Sequence, residues 1–256
     1  MNRIIVLDTE FIGLNKPFVY DLGYMVLDLK ESGQYEGLKV ENNITKQIYD
    51  NAMLFETAHY AEKRKLYSSL LKGKTAKRRY WGHIMQRLQN DIDTYDVQAV
   101  LAYNASADSK AIEYTCNFIG VANPLETVQV IDLLPIVQAT ICETVEYKSF
   151  ANQNGLVNDS GFVQTSVEAV CKFLYDMPNF KEQHTALDDV GHEINLLNAC
   201  MAVGAKIEKM TKKFIETHET RSIIIQVKDG EKTKNYTFKY RTRKNFNKRN
   251  TIVLTR

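Results

Sequence analysis

Apolar residues run without interruption through Ile4, Ile5, Val6 and Leu7, and a run that does not alternate marks a strand covered on both faces. It ends at Asp8-Thr9-Glu10-Phe11. Beyond Gly13 and Pro17, Val19 to Leu29 and a Gly33-interrupted run ending near Val40 predict two further strands. Turns at Asn15-Lys16-Pro17 and around Ser32-Gly33 join the three into an antiparallel meander. From about 46 to 95 the period becomes helical, clearest where Tyr80, Trp81, Ile84, Met85, Leu88 and Ile92 recur at spacings of three and four. Lys72, Lys74, Lys77, Arg78 and Arg79 precede that stripe as a basic patch, open to two readings, a solvated helix entry or a phosphate contact.

Ala99 to Ala102 is a second short apolar strand, followed at once by a helix to about Ile119 with Ser106 as its expected cap. Asp108 then lies in the first turn on the side of Ile112, Cys116 and Ile119, so it points inward, either to cap locally or to meet a partner at the strand ends. Thr127 to Ile131 predicts a strand and Leu133 to Ile141 a short helix. Residues 152–161 read as a loop, and Thr165-Ser166 starts a helix that runs through Tyr175 before Pro178 breaks it. Glu182-Gln183-His184 leads into a last helix whose buried stripe is Ala186, Val190, Ile194, Leu197 and Met201. Thr185 and Asp188 have capping-box spacing, while Asp189 borders the stripe. Strands that alternate with helices after a meander give an α/β fold, a mixed five-stranded sheet flanked by helices.

Composition adds a division. The chain of 256 residues has a formal net charge of +2, yet residues 205–256 carry about +10 and the preceding body about −8. A folded body over 1–204 with a helical insertion near 46–95, and a basic extension over 205–256, is the expected organisation. In the extension, Lys206 to His218 reads as a helix, and Ile223 to Val227, Asp229-Gly230 and Asn235 to Arg241 as a hairpin. Tyr236, Phe238 and Tyr240 alternate with Thr237, Lys239 and Arg241, a pattern that serves either to stack bases and hold phosphates or to pack on the body. Cys116, Cys142, Cys171 and Cys200 are far apart with no C-x-x-C pair. They are expected to be reduced, buried thiols rather than a zinc site or disulfide framework. No apolar run suits a signal peptide or a membrane span, so a cytoplasmic protein without membrane association is expected.

The chemistry is carried by acidic residues at element ends. Asp8 and Glu10 are two apart on a strand and project from one face, where a dry acidic pair needs a cation. The alternative is a turn cap and a solvated glutamate. His184, ahead of a helix, has an ordinary reading as a capping or surface residue and a functional one as a base near neutral pH.

In order along the chain, Asp8-Thr9-Glu10-Phe11, Asn104-Ala105-Ser106-Ala107-Asp108 and His184-Thr185-Ala186-Leu187-Asp188-Asp189 resemble the three motifs of the DEDDh branch of the DnaQ-like 3′-to-5′ exonucleases. The resemblance spans about residues 4 to 197 and is closest to exonucleases of bacteriophages. It implies a ribonuclease H-like sheet and metal-dependent hydrolysis of DNA from the 3′ end to nucleoside 5′-monophosphates, in proofreading beside a DNA polymerase or in phage DNA metabolism. Oxygen-only ligation suits Mg²⁺ or Mn²⁺, and two such ions about 4 Å apart serve an in-line displacement. On this resemblance Asp8 bridges both ions, Glu10 and Asp189 hold the ion carrying the water, Asp108 serves the second, and His184 is the general base. Thr9 would offer its N–H to the terminal nucleotide, Phe11 would pack on a base or sugar, and Asn104 would orient its loop. A single-stranded DNA 3′ end is the expected partner. An exoribonuclease of the same fold and a non-catalytic nucleic-acid-binding module are the alternatives.

Overall fold

The computed structural model describes residues 3–30, 35–202, 218–229, 232–243 and 251–255. The chain divides into two compact units, Met1–Ala205 and Lys206–Arg256.

In the first unit the strands are β1 (Arg3–Ile12), β2 (Phe18–Leu29), β3 (Tyr35–Thr45), β4 (Lys77–Arg79), β5 (Ala99–Ala102) and β6 (Gln129–Asp132), side by side in the order β4-β3-β2-β1-β5-β6. β1, β2 and β3 form the antiparallel meander, and β5 and β6 run parallel to β1. Ile4 to Leu7 are at most 1% exposed, as an uninterrupted apolar run at the sheet centre requires. Among the described residues no helix is long and apolar enough to cross a membrane.

The sheet has one strand more than the five expected. Lys77 to Arg79, part of the basic patch expected ahead of a helix, pairs in parallel with Asn43 to Thr45 at the sheet edge. A run of three cations carries no apolar signal, and the strand is instead held from outside. Glu41 of β3 has a fully buried side chain, and Arg79 meets it at 2.8 Å, Arg87 at 3.2 Å and Lys39 at 3.5 Å. Short, charged edge strands resist pairing with other chains.

The 46–95 segment is less continuous than its pattern suggests. Single turns at Lys46–Tyr49 and Ala52–Phe55 precede α1 (Arg64–Lys72), and after β4 comes α2 (Trp81–Thr94). The first part folds around aromatic edges: Tyr20 of β2, Tyr49, Phe55 and Tyr67 meet at centroid distances of 5.1 to 6.4 Å. Each such buried ring contributes about 1.5–3 kcal/mol by burial. α2 buries Trp81, Ile84, Met85, Leu88 and Ile92, the expected stripe except for Tyr80, which precedes the helix and is exposed.

α3 (Ala105–Ile119) starts two residues earlier than a Ser106 cap implies. Asn104, in the left-handed region at φ +59°, turns the chain from β5 into the helix and makes no side-chain cap. Its N–H donates to Asp132 Oδ1 at 3.0 Å, which accepts Leu134 N–H at the same distance. The helix after β6 is a turn at Leu134–Val137 that widens into a π-helix over Gln138–Cys142. α4 (Val145–Gln153) and α5 (Val167–Leu174, capped by Ser166 Oγ on Ala169 N–H at 3.2 Å) lead to α6 (Ala186–Ala202). All four cysteines are buried free thiols.

α6 docks on β2 through a glycine. A Cβ at Gly23 would lie 2.4 Å from Leu187 N and 2.6 Å from Ala186 C, so no side chain is tolerated there. Asp21 Oδ2, two residues earlier, accepts Ala186 N–H at 3.0 Å and caps the helix in place of the expected Thr185–Asp188 box.

In the second unit β7 (His218–Asp229) pairs antiparallel with β8 (Lys232–Arg243), with Ile225 opposite Tyr236 and Asp229 opposite Lys232. This contains the expected hairpin, and β9 (Thr251–Thr255) adds a parallel strand on the other edge of β7 that the pattern did not indicate. The helix expected from Lys206 lies outside the described residues except for His218, which begins β7.

Gly23→Ala is expected to destabilise the protein by about 2 kcal/mol or more, since backbone atoms of α6 must move. Gly191→Ala, where an added Cβ meets nothing within 4 Å, is expected to be neutral or to stabilise by up to about 1 kcal/mol. Urea unfolding of both variants checks the contrast.

Candidate active site

The carboxyl ends of β1 and β5 and the first turns of α6 enclose a cleft of about 520 Å³. Asp8, Thr9, Glu10, Asn104, His184 and Asp189, drawn from all three sequence motifs, line it together with Tyr60, Tyr103, Glu182 and Glu193. One ligand atom each from Glu10, His184 and Asp189 lie within 4.8 Å of one another.

Asp108 takes a different position from the others. It is 5% exposed, and its Oδ1 accepts Thr9 N–H at 3.0 Å and Thr9 Oγ1–H at 2.7 Å. It thus sits behind Thr9, tying α3 to the end of β1. The Thr9 N–H, expected to meet a terminal nucleotide, is taken by this bond. Phe11 does not line the cleft. It follows a bulge after Glu10 and packs, partly buried, on the apolar cluster that holds Ile5, Leu7 and Trp81. Asn104 acts through its backbone, as the left-handed turn that delivers α3. Asp188, expected to point elsewhere, pairs with His192 at 3.4 Å.

His184 is held on several sides. Its φ is +52°, and its ring stacks on Tyr60 at 4.6 Å between centroids and 9° between planes. Lys63 Nζ lies 3.8 Å from the Tyr60 ring centre and donates to the Gln183 carbonyl. His184 Nδ1 is 3.8 Å from Glu182 Oε2. Burial first, then Lys63, lower the imidazole pKa, so the ring is neutral and able to accept a proton.

The carboxyls are destabilised as anions. Burial, then the charges of Asp108, Glu193, Asp189 and Glu10, push Asp8 well above the usual range. Burial, then Asp189 and Asp21, push Glu10 up to about 9. Asp189 rises to about 8 through burial, then Glu182 and Asp188. Asp108 rises less, to about 6, because the Thr9 hydrogen bonds oppose its burial. The arrangement is a set of oxygen donors short of positive charge, beside a neutral base.

Sequence reasoning overlooked five residues of this surrounding. Asp21 is a carboxylate set among the apolar residues of a largely apolar strand, and Glu193 stands four residues after Asp189 on one helical face; both carry a legible signal. Glu182 had only its place beside His184. Tyr60 and Lys63 had none, since the fold alone brings them to a loop 120 residues further on.

Against solved structures the fold is that of exonucleases. E. coli exonuclease I in complex with a dA16 oligonucleotide superposes with a TM-score of 0.52 and 15% identity, over 85% of this chain and 44% of that one. Exonuclease I from Methylocaldum szegediense gives a TM-score of 0.54 and 14% identity, over 90% of this chain and 48% of that one. At such identities the likeness is one of fold, a ribonuclease H-like mixed sheet flanked by helices, and this chain spans less than half of those neighbours' length. No protein-family model and no curated protein matches the sequence.

A pH dependence follows from the raised carboxyl values. These groups bind protons more tightly folded than unfolded, so their contribution to the stability of the metal-free protein is fully present at and below the ordinary carboxylate range, about 4. It falls as pH rises through about 6, 8 and 9, the values of Asp108, Asp189 and Glu10. In EDTA, Asp189→Asn is expected to raise stability near pH 8 by a few kcal/mol, an order-of-magnitude figure, and to flatten the slope. Thermal melts across pH check this; a wild-type melting temperature that climbs with pH over that window contradicts it.

Proposed function

We propose that this protein is a metal-dependent 3′-to-5′ exonuclease acting on single-stranded or frayed DNA and releasing nucleoside 5′-monophosphates. The observation that carries the reading is the meeting of Asp8, Glu10 and Asp189 with His184 at the carboxyl end of a buried strand. The exonuclease fold of the neighbours, one of them bound to an oligonucleotide, supports it.

The residues suit a hard divalent cation. Asp189 Oδ1 and Glu193 Oε2 are buried without hydrogen-bond partners, and several carboxyls raised by burial and then by mutual repulsion accept a cation readily. Asp8, Glu10 and Asp189, with Asp108 behind them, would hold two Mg²⁺ or Mn²⁺ ions. Metal held by these residues would supply polarisation of the scissile phosphate, a more acidic attacking water and charge balance for the leaving 3′ oxygen.

The chain's own groups do the rest. With Nδ1 turned toward Glu182, His184 accepts the water's proton at Nε2. Tyr60 fixes the plane of that ring by stacking, and Lys63 ties the loop through Gln183. Asp108 keeps the end of β1 in place through Thr9. The preference for DNA over RNA rests on the resemblance to bacteriophage enzymes, and matched oligonucleotides test it.

With 5′-labelled single-stranded DNA, a ladder shortening from the 3′ end is expected with Mg²⁺ or Mn²⁺ and not with EDTA or with Asp189→Ala. Intact DNA and intact RNA with both metals would leave a binding module. His184→Ala is expected to lower kcat by about 10²–10⁴-fold. Tyr60→Ala is expected to lower kcat with little change in KM, and Tyr60→Phe to retain activity because it keeps the stack. Removal of residues 206–256, the basic unit, is expected to weaken DNA binding and reduce its salt dependence; filter binding across a salt series reads both.

A further inference from the structure

Glu193 lies one turn beyond Asp189 on α6 and is 1% exposed. Its two oxygens have different surroundings. Oε1 accepts Tyr103 N–H at 3.0 Å, where β5 ends and the chain turns toward Asp108. Oε2 is buried without a hydrogen-bond partner, and the side chain lines the same cleft as Asp8 and Asp189.

Burying a carboxylate with one oxygen unanswered is costly unless a proton or a cation answers it. Among the described residues, no Lys or Arg forms an ion pair with Glu193, and the charges acting on it include those of Asp108, Asp189 and Glu182. Tyr103 N–H needs only one acceptor oxygen, which an amide would supply equally well. The second oxygen therefore has a purpose that the backbone contact does not explain.

We propose that Glu193 is a fifth carboxylate of the metal centre, with Oε2 as a ligand oxygen for a divalent cation held together with Asp8, and Oε1 fixed by Tyr103 N–H so that Oε2 faces that cation. This rests on the reading of the cleft as a metal site. It makes α6 a donor of two ligands one turn apart, and it couples the cation to the β5–α3 turn.

Mn²⁺ binding to the full chain tests it, followed by isothermal titration calorimetry and by the rise in melting temperature that Mn²⁺ produces. Glu193→Gln keeps the size, the acceptor for Tyr103 and a donor like that of a protonated carboxyl, and removes the charge. The variant is expected to melt, without metal, at or above the wild-type temperature. Its Mn²⁺ affinity is expected to fall about tenfold or more, with a smaller metal-induced rise. Wild-type affinity and stoichiometry in Glu193→Gln would overturn the proposal, showing a buried group that carries a proton. If that variant does not fold, Glu193→Asp, which retains the charge with a shorter reach, reads the same quantity: weaker Mn²⁺ binding supports the proposal and unchanged binding overturns it. If wild type binds no Mn²⁺, the metal-site reading fails and this inference with it; if wild type binds and Glu193→Gln binds equally, this inference alone fails.

Discussion

The arrangement of the site depends on how α6 meets β2. Gly23, opposite Asp8 in the strand register, leaves room for the backbone of Ala186 and Leu187. Asp21, opposite Glu10, receives the first N–H of the helix and places a carboxylate at the positive end of its dipole. These two contacts fix both the distance and the rotation of α6. Its first turns, with Asp189 and Glu193, consequently lie over the end of β1, and an acidic helix face becomes one wall of a cleft.

That placement brings together groups that repel one another. The surrounding structure holds them with a buried central strand, the two Thr9 hydrogen bonds to Asp108, and the Tyr103 N–H on Glu193. Tyr103 is in turn anchored through its hydroxyl to the Thr165 carbonyl ahead of α5. Titratable groups displaced from their ordinary values by burial and like charge concentrate where proteins do chemistry. Here the displacement concerns several carboxyls and spares the imidazole its charge, a division suited to cation binding beside a proton acceptor.

Topology explains why an insertion far along the chain reaches the same cleft. β1 and β3 are both antiparallel to β2, so they end on one side of the sheet, where β5 and β6 also end. The carboxyl ends of parallel strands are where open α/β sheets present their sites. The segment that leaves β3 therefore starts near the cleft, folds around Tyr49, Phe55 and Tyr67, and returns Tyr60 and Lys63 to the His184 loop.

The sequence by itself determined the elements whose apolar pattern is strong. Ile4 to Leu7 and Ala99 to Ala102 marked buried strands, and the stripe from Trp81 to Ile92 a helix packed on one face. The order of the acidic motifs marked Asp8, Glu10, Asp189 and His184, and these do meet in one cleft, because each stands at the end of an element whose direction the pattern fixes. Tertiary structure decided what local pattern does not encode. Lys77 to Arg79 is a strand because a buried Glu41 and the edge of β3 wait beside it. Asp21 caps a helix 165 residues away, Asp108 turns to Thr9, Phe11 turns to the core, and Tyr60 reaches His184. Each of these depends on a contact between segments far apart in the chain, and such contacts are set by packing, which leaves no period in the sequence.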